Sequence, residues 1–192
     1  MRSCLILILF CTPLLPSCMR GMKGSSKKAV KAEMDMVSDS LNIYWNTLIT
    51  ADDRKISDIG RLLLEISYVE NYNEAEQERL QRLQKQLLIK RYDQESMTSE
   101  KIDAYDLATD SLINQVVKLC SFTPEIETHP LAEELTEEIK TEDSRLVIYR
   151  AYYDRWVKRY NQLLKAHSRK LKKLGPPYSS YKPKLLFELP AN

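Results

Sequence analysis

Residues 130–173, PLAEELTEEIKTEDSRLVIYRAYYDRWVKRYNQLLKAHSRKLKK, decide the fold. Leu135, Ile139, Glu142, Leu146, Tyr149, Tyr153, Trp156, Tyr160, Leu163 and His167 follow one another at alternating steps of four and three. Such spacing keeps one stripe on one side of a helix, the seam of a bundle or coiled coil. Pro130 suits the first helical position, because its missing N–H would have no intrahelical partner there. Glu133 and Glu134 place acid in the opening turns, and Gly175-Pro176-Pro177 closes the far end. At 1.5 Å per residue this helix reaches about 65 Å.

The same period recurs upstream. Val37, Leu41, Tyr44-Trp45 and Leu48 form one apolar run, and Ile56, Ile59, Leu62-Leu63, Ile66 and Val69 another. Thr50-Ala51-Asp52-Asp53 offers an N-cap and acidic first turn between them, or the helix continues through, with Gly60 as a kink. Leu80, Leu83 and Leu87-Leu88 lead toward Tyr92, with Asn71 and Asn73 weakening the helix before them. Thr98-Ser99-Glu100 starts a segment carrying Ile102, Tyr105, Leu112-Ile113, Val116 and Leu119-Cys120, and Thr123-Pro124 stops it. No strand pattern competes. The expectation is an all-α, up-and-down antiparallel four-helix bundle with long helices. An irregular tail from about residue 175 carries Tyr178, Tyr181, Leu185, Leu186 and Phe187 between prolines.

The chain of 192 residues is long enough for one domain with its own core. Lys and Arg number 29 against 27 Asp and Glu, a balance that argues against a dedicated nucleic-acid binder. Along the last helix, however, charge is segregated. Residues 125–143 hold eight acids against Lys140, and residues 145–173 hold ten bases against Asp154. Acid first and base last complements the helix macrodipole. It leaves room for a basic end that meets an anionic partner or membrane.

The beginning of the chain reads as an address. Arg2 precedes an apolar run from Leu5 to Leu15, too short to span a bilayer, and Leu15-Pro16-Ser17-Cys18 resembles a bacterial lipobox. The expectation is a lipoprotein signal peptide over residues 1–17, with Cys18 as the acylated membrane anchor. Residues 18–31 read as a basic, flexible tether with Arg20, Lys23, Lys27, Lys28 and Lys31, and residues 32–192 as the bundle with its tail. Cys4 and Cys11 lie within the signal, which leaves Cys120 single in the mature domain. Its plain reading is a small buried hydrophobe.

No motif calls for a catalytic residue, a metal or a cofactor. His129 and His167 stand outside H-E-x-x-H, and G-x-S-x-G, C-x-x-C and phosphate-cradling glycine loops do not occur. Two constellations remain. Tyr149, Tyr153, Trp156 and Tyr160 line either a groove or the core. Glu142, a carboxylate on the apolar seam, forms a polar contact with Arg145 or Arg150, which sets register rather than chemistry.

From Pro124 to Phe187-Glu188 the chain resembles the LemA family of bacterial envelope proteins. Pro124-Glu125-Ile126 is similar to the turn entering that family's last helix. Arg145-Leu146, Arg150, Tyr153-Asp154, Val157-Lys158 and Tyr160-Asn161 follow its Arg–Tyr-Asn–Val–Tyr-Asn pattern, and Phe187-Glu188 resembles a Phe-Glu near its end. Tyr44-Trp45, Leu48, Arg54, Asp58-Ile59, Leu63 and Ile66 resemble its first segment. The family's Pro near Asp58-Ile59-Gly60 is missing, and a lipoprotein signal stands in place of its N-terminal membrane helix. The resemblance implies a helical bundle held at a membrane, and it names no reaction. The leading expectation is a noncatalytic envelope scaffold that docks a protein partner, and the alternative is a small-molecule or lipid carrier with a cavity between helices; an enzyme built around Glu142, Arg150, Tyr153 or His167 has no independent support in the sequence. A second copy of the chain could also satisfy the seam, making a homo-oligomer.

Overall fold

The structure is a computed structural model that describes residues 26–187. The signal peptide and Cys18 lie outside the described residues. Four helices follow in order: α1 (Lys27–Ile66), α2 (Glu74–Lys90), α3 (Ser99–Phe122) and α4 (Pro130–Lys172). Short 3-10 turns cover Ile126–Thr128 and Tyr178–Ser180. Among the described residues there is no strand. The helices run up, down, up and down. Gln77 and Gln84 of α2 reach Leu63 and Ile56 of α1, and Lys55 of α1 meets Asp143 of α4.

The bundle is uneven. α1 and α4, with 40 and 43 residues, form the largest interface, whereas α2 and α3 have 17 and 24. The short pair therefore covers one half of the long hairpin. There the core is aliphatic: Ile56, Ile59, Leu62, Leu63 and Ile66 meet Leu80, Leu112, Val116, Leu135 and Ile139. Beyond it α1 and α4 continue alone, and the tail folds back over them.

Local chemistry sets the helix ends. Asn73 and Thr98 cap α2 and α3 by accepting from the backbone N–H groups of Glu76 and Lys101. Asn71, with φ 61°, turns the chain after α1, and Glu125, with φ 54°, does so before α4. Gly175, with φ 77°, sits in the left-handed region just past α4, where a side chain would be strained. α4 starts at Pro130 as its sequence predicts.

One boundary needs correction, and one open alternative is decided. The tether read over residues 18–31 ends earlier, because Ser26 accepts from Ala29 N–H and caps a helix beginning at Lys27. Val30, 1% exposed, is already in the core. Of the two readings at Thr50 the continuous helix holds: α1 runs through it, and Asp52 is buried rather than capping. Gly60 serves close approach. A Cβ there would stand 3.1 Å from Gln84 Nε2, the amide that donates to the Ile56 carbonyl. The kink occurs instead in α4, at His167 (φ −121°, ψ 19°).

Candidate functional site

Where the four-helix half meets the two-helix half, a layer of charge crosses the core. Asp52 of α1, 3% exposed, accepts from the Tyr105 hydroxyl of α3 and from Arg91 Nη1 at 3.3 Å. Lys55, equally buried, donates to Asp143 at 2.9 Å and lies 3.5 Å from Asp52. Arg150 of α4 grips Asp106 of α3 through two bonds of 2.6 and 2.7 Å and donates to the Tyr92 hydroxyl at 3.2 Å. Its guanidinium also lies 5.0 Å from the centre of the Phe187 ring. One layer thus ties α1, α3, α4, the α2–α3 loop and the tail. The fork of a guanidinium on a carboxylate fixes both distance and plane, so this tie also sets register.

The acid–base character of the layer is that of a lock. Burial pushes the Tyr92 phenol up to about 12, and burial together with the Asp52 charge raises Tyr105 further. Burial alone would lower Arg150; the bond to Asp106 and the surrounding negative charge reverse that and hold it cationic. Asp110 is raised by burial and by the charges of Asp143 and Asp106. The space among Leu48, Asp52, Arg91, Tyr105 and Arg150 is about 10 Å³, the size of one water at most. These phenols and the guanidinium keep their protons across the neutral range, and no substrate fits between them.

The tail binds beside this layer. Its backbone at Lys184 exchanges two bonds with the Asn161 side chain: Nδ2 donates to the carbonyl at 2.8 Å, and the amide donates to Oδ1 at 2.9 Å. The Phe187 amide donates to Asp154 at 2.9 Å. The Phe187 ring enters a box of Trp45, Tyr92 and Tyr153, with centroids 5.5–6.3 Å away. Further along, the Tyr178 hydroxyl donates to Asp35 at 2.7 Å. Bonds from Lys31 and then Tyr178 hold the Asp35 carboxyl below the usual range. Two open grooves flank the tail. One of about 570 Å³ includes Ser38, Leu41, Gln94, Tyr160 and Tyr181, and one of about 490 Å³ includes Leu164, Leu171, Tyr178 and Tyr181.

The four aromatic residues, read as lining either a groove or the core, are divided. Tyr153 and Tyr160, 0% and 4% exposed, belong to the core, and burial raises both phenols, Tyr160 to about 12. Trp156 lies on the outer face of α1 and α4, where Tyr44 packs against it at 6.3 Å and against Tyr152 at 5.6 Å. Tyr149 lines an open groove of about 500 Å³ with Ile43, Thr47, Arg54, Glu142 and Arg145.

Glu142 and Arg150 are not partners. Glu142, 5% exposed, accepts from Arg145 at 2.6 Å and has Arg54 at 3.9 Å, because residues three apart are neighbours on the helix surface, whereas eight residues rise about 12 Å along the axis. His129 Nδ1 lies 3.1 Å from Glu65, joining the start of α4 to the end of α1. Cys120 is buried, and burial raises its thiol pKa.

Sequence reading missed Asp52, Lys55, Arg91 and Asp106. A signal for the first two was present. Leu48, Asp52, Lys55, Ile59, Leu62 and Ile66 keep the four–three rhythm, so two charges occupy seam positions just as Glu142 does. Arg91 and Asp106 carry no such mark. Among the described residues no group of three or more His, Cys, Asp or Glu is placed to hold a metal ion, and no helix is long and apolar enough to cross a membrane.

No protein-family model, curated protein or solved structure matches the chain.

Proposed function

We propose that the protein is a membrane-anchored, noncatalytic envelope lipoprotein, a LemA-type helical rod that docks a protein partner. The observation that carries this reading is the outer face of α1 and α4. Ile43, Ile148 and Tyr152 are 62%, 52% and 40% exposed there, around half-buried Tyr44 and Trp156. Large exposed apolar side chains gathered on one face are a common mark of an interaction surface. The paired state of the central charges supports a structural rather than a catalytic use of that layer.

A photo-crosslinking residue placed at Ile43 or Tyr152 of the membrane-bound protein should capture one reproducible protein, and the same residue at Ile89 on α2 should not. Ile43→Ser with Tyr152→Ser should abolish capture while helicity is kept. Capture from both faces alike, or unfolding of the double variant, would return this face to ordinary surface or core. Cys18→Ser should abolish metabolic labelling by an acyl-chain analogue.

A lipid or small-molecule carrier is the second reading. The apolar groove of about 490 Å³ beside Leu164, Leu171 and Tyr181 favours it. A lipid retained in native mass spectra would move the assignment there.

A further inference from the structure

The first residues of α1 and the last of α4 come from opposite ends of the chain, and the fold sets them side by side. Glu33 pairs with Arg159, and Tyr178, just past α4, bonds to Asp35. Carrying the antiparallel register of Glu33 and Arg159 further along brings Lys27 alongside Lys165, with Arg169, Lys172 and Lys173 beyond. All six of these bases are exposed; Glu33 occupies Arg159, and the other five have no ion pair among the described residues. No acid precedes Glu33, and none occurs from 155 to 187. Glu33 and Asp35, the acids nearest the start of α1, are already engaged by Arg159, Lys31 and Tyr178. The result is a pole of positive charge that neither segment has alone.

Helix stability explains only part of it. Bases in the last turn of α4 oppose the negative end of its dipole and are favourable. Lys27 and Lys28 do the reverse. They open α1 with no acid in its first turn, whereas α2, α3 and α4 open with Glu74, Glu100 and Glu133. Placed at the positive end of a dipole and beside another cationic helix end, they weaken the fold locally. A local rule broken without a structural gain points to a use outside the fold.

We infer that this pole is a docking surface for a bilayer rich in anionic phospholipid, and that it stands the rod on the membrane with that end down. The chain itself favours this occupant. Only residues 19–26 separate Cys18 from Lys27, at most about 30 Å of extended chain. An anchor at Cys18 therefore keeps the pole within reach of the headgroups, and Arg20 and Lys23 add to the same charge. Attraction acts within about 8 Å at physiological salt, and each base brought that close strengthens binding about fivefold. The inference takes the membrane anchor from the proposed function and needs no protein partner.

Flotation of the full chain with vesicles tests it. Phosphatidylcholine vesicles report binding through the apolar N-terminal segment alone, and added phosphatidylglycerol reports the charge. At low salt the anionic vesicles should carry several times more protein, and high salt should remove the difference. The variant Lys165→Gln, Arg169→Gln, Lys172→Gln and Lys173→Gln should lose at least about tenfold of the anionic increment. Its binding to neutral vesicles and its circular dichroism should not change. Glu133→Gln with Glu134→Gln at the opposite end should leave the increment intact. Equal binding to both vesicles overturns the inference. So does an increment that survives the quadruple variant, which would place the effect in Arg20 and Lys23. Binding to inorganic polyphosphate without a vesicle increment would also overturn it, in favour of a soluble polyanion. Crosslinking to a protein partner is read separately, so either result can fail without the other.

Discussion

The two halves of the rod solve one problem by different means. A pair of helices can bury only the strip between them, and a third layer must cover what remains. Near Ile66 that layer is two more helices, and aliphatic side chains interlock over Leu63 and Ile59. Near Lys27 it is a strap of about ten residues, held by Asn161, Asp154, Asp35 and an aromatic box. Aliphatic burial is strong and non-directional, and scales with area. A thin strap buries little area, so it relies on hydrogen bonds to its backbone and on large rings that contribute much surface per residue. The four-helix half is therefore expected to be the stable base, and the two-helix half the part that opens first.

The chain offers a convenient readout of this contrast. Its two tryptophans, Trp45 and Trp156, both lie in the two-helix half. Their fluorescence reports that half, and circular dichroism at 222 nm reports both.

The largest effect is expected from Leu63→Ala. Leu63 is 0% exposed, and its loss leaves a cavity costing about 2–5 kcal/mol. If the half it belongs to is the base, both signals should melt together and earlier. A tryptophan transition that stays in place would break the comparison, making the halves independent.

Next is Arg150→Ala. It leaves Asp106 and the Tyr92 hydroxyl without their partner and removes the cation from the Phe187 ring, for about 2–3 kcal/mol. Urea titration should show loss in both signals, because this residue joins the halves. Loss confined to fluorescence would make the charge layer part of the strap alone.

Asn161→Ala removes both bonds to Lys184, for about 1–2 kcal/mol. Hydrogen exchange should quicken over 178–187 and stay slow at the core of α3. Faster exchange throughout would show that the strap supports the whole fold.

The smallest effect is that of acid on Asp35. Its pKa is lowered in the fold by Lys31 and Tyr178. Its contribution is therefore present above the unfolded-state value and is lost as pH falls through the folded one. Acid titration should loosen the strap at Tyr178 before helicity declines, and Asp35→Asn should flatten that early change. Asp110 has the opposite sign, because its pKa is raised; Asp110→Asn should raise the melting temperature slightly at neutral pH.

Much of the architecture was legible in the sequence, and the reason is local. Thr98 capping α3, Pro130 opening α4 and Gly175 closing it depend on neighbours a few residues away. The seam of α4 depends only on a period. The site was much less legible. Glu142 stood out because a charge interrupted an apolar seam, yet Asp52 at an equivalent position resembled a cap, since Thr50 and Asp53 surround it with capping residues. Arg150 stands out on the same helix as Glu142, but its partner is on another helix. Asp106 lies 44 residues away, and no pattern in the sequence links the two.

The sequence by itself therefore determined four helices, their order and most of their ends, because capping and periodicity act over one or two turns. Only the tertiary structure decided that α1 runs unbroken past Thr50, since Tyr105 and Arg91 give the buried Asp52 its partners. It alone decided which ring Arg150 faces, where the tail lies, and that the basic ends of α1 and α4 stand together. Each of these joins residues far apart in the chain, and such pairs meet only when hydrophobic burial has brought whole helices into register.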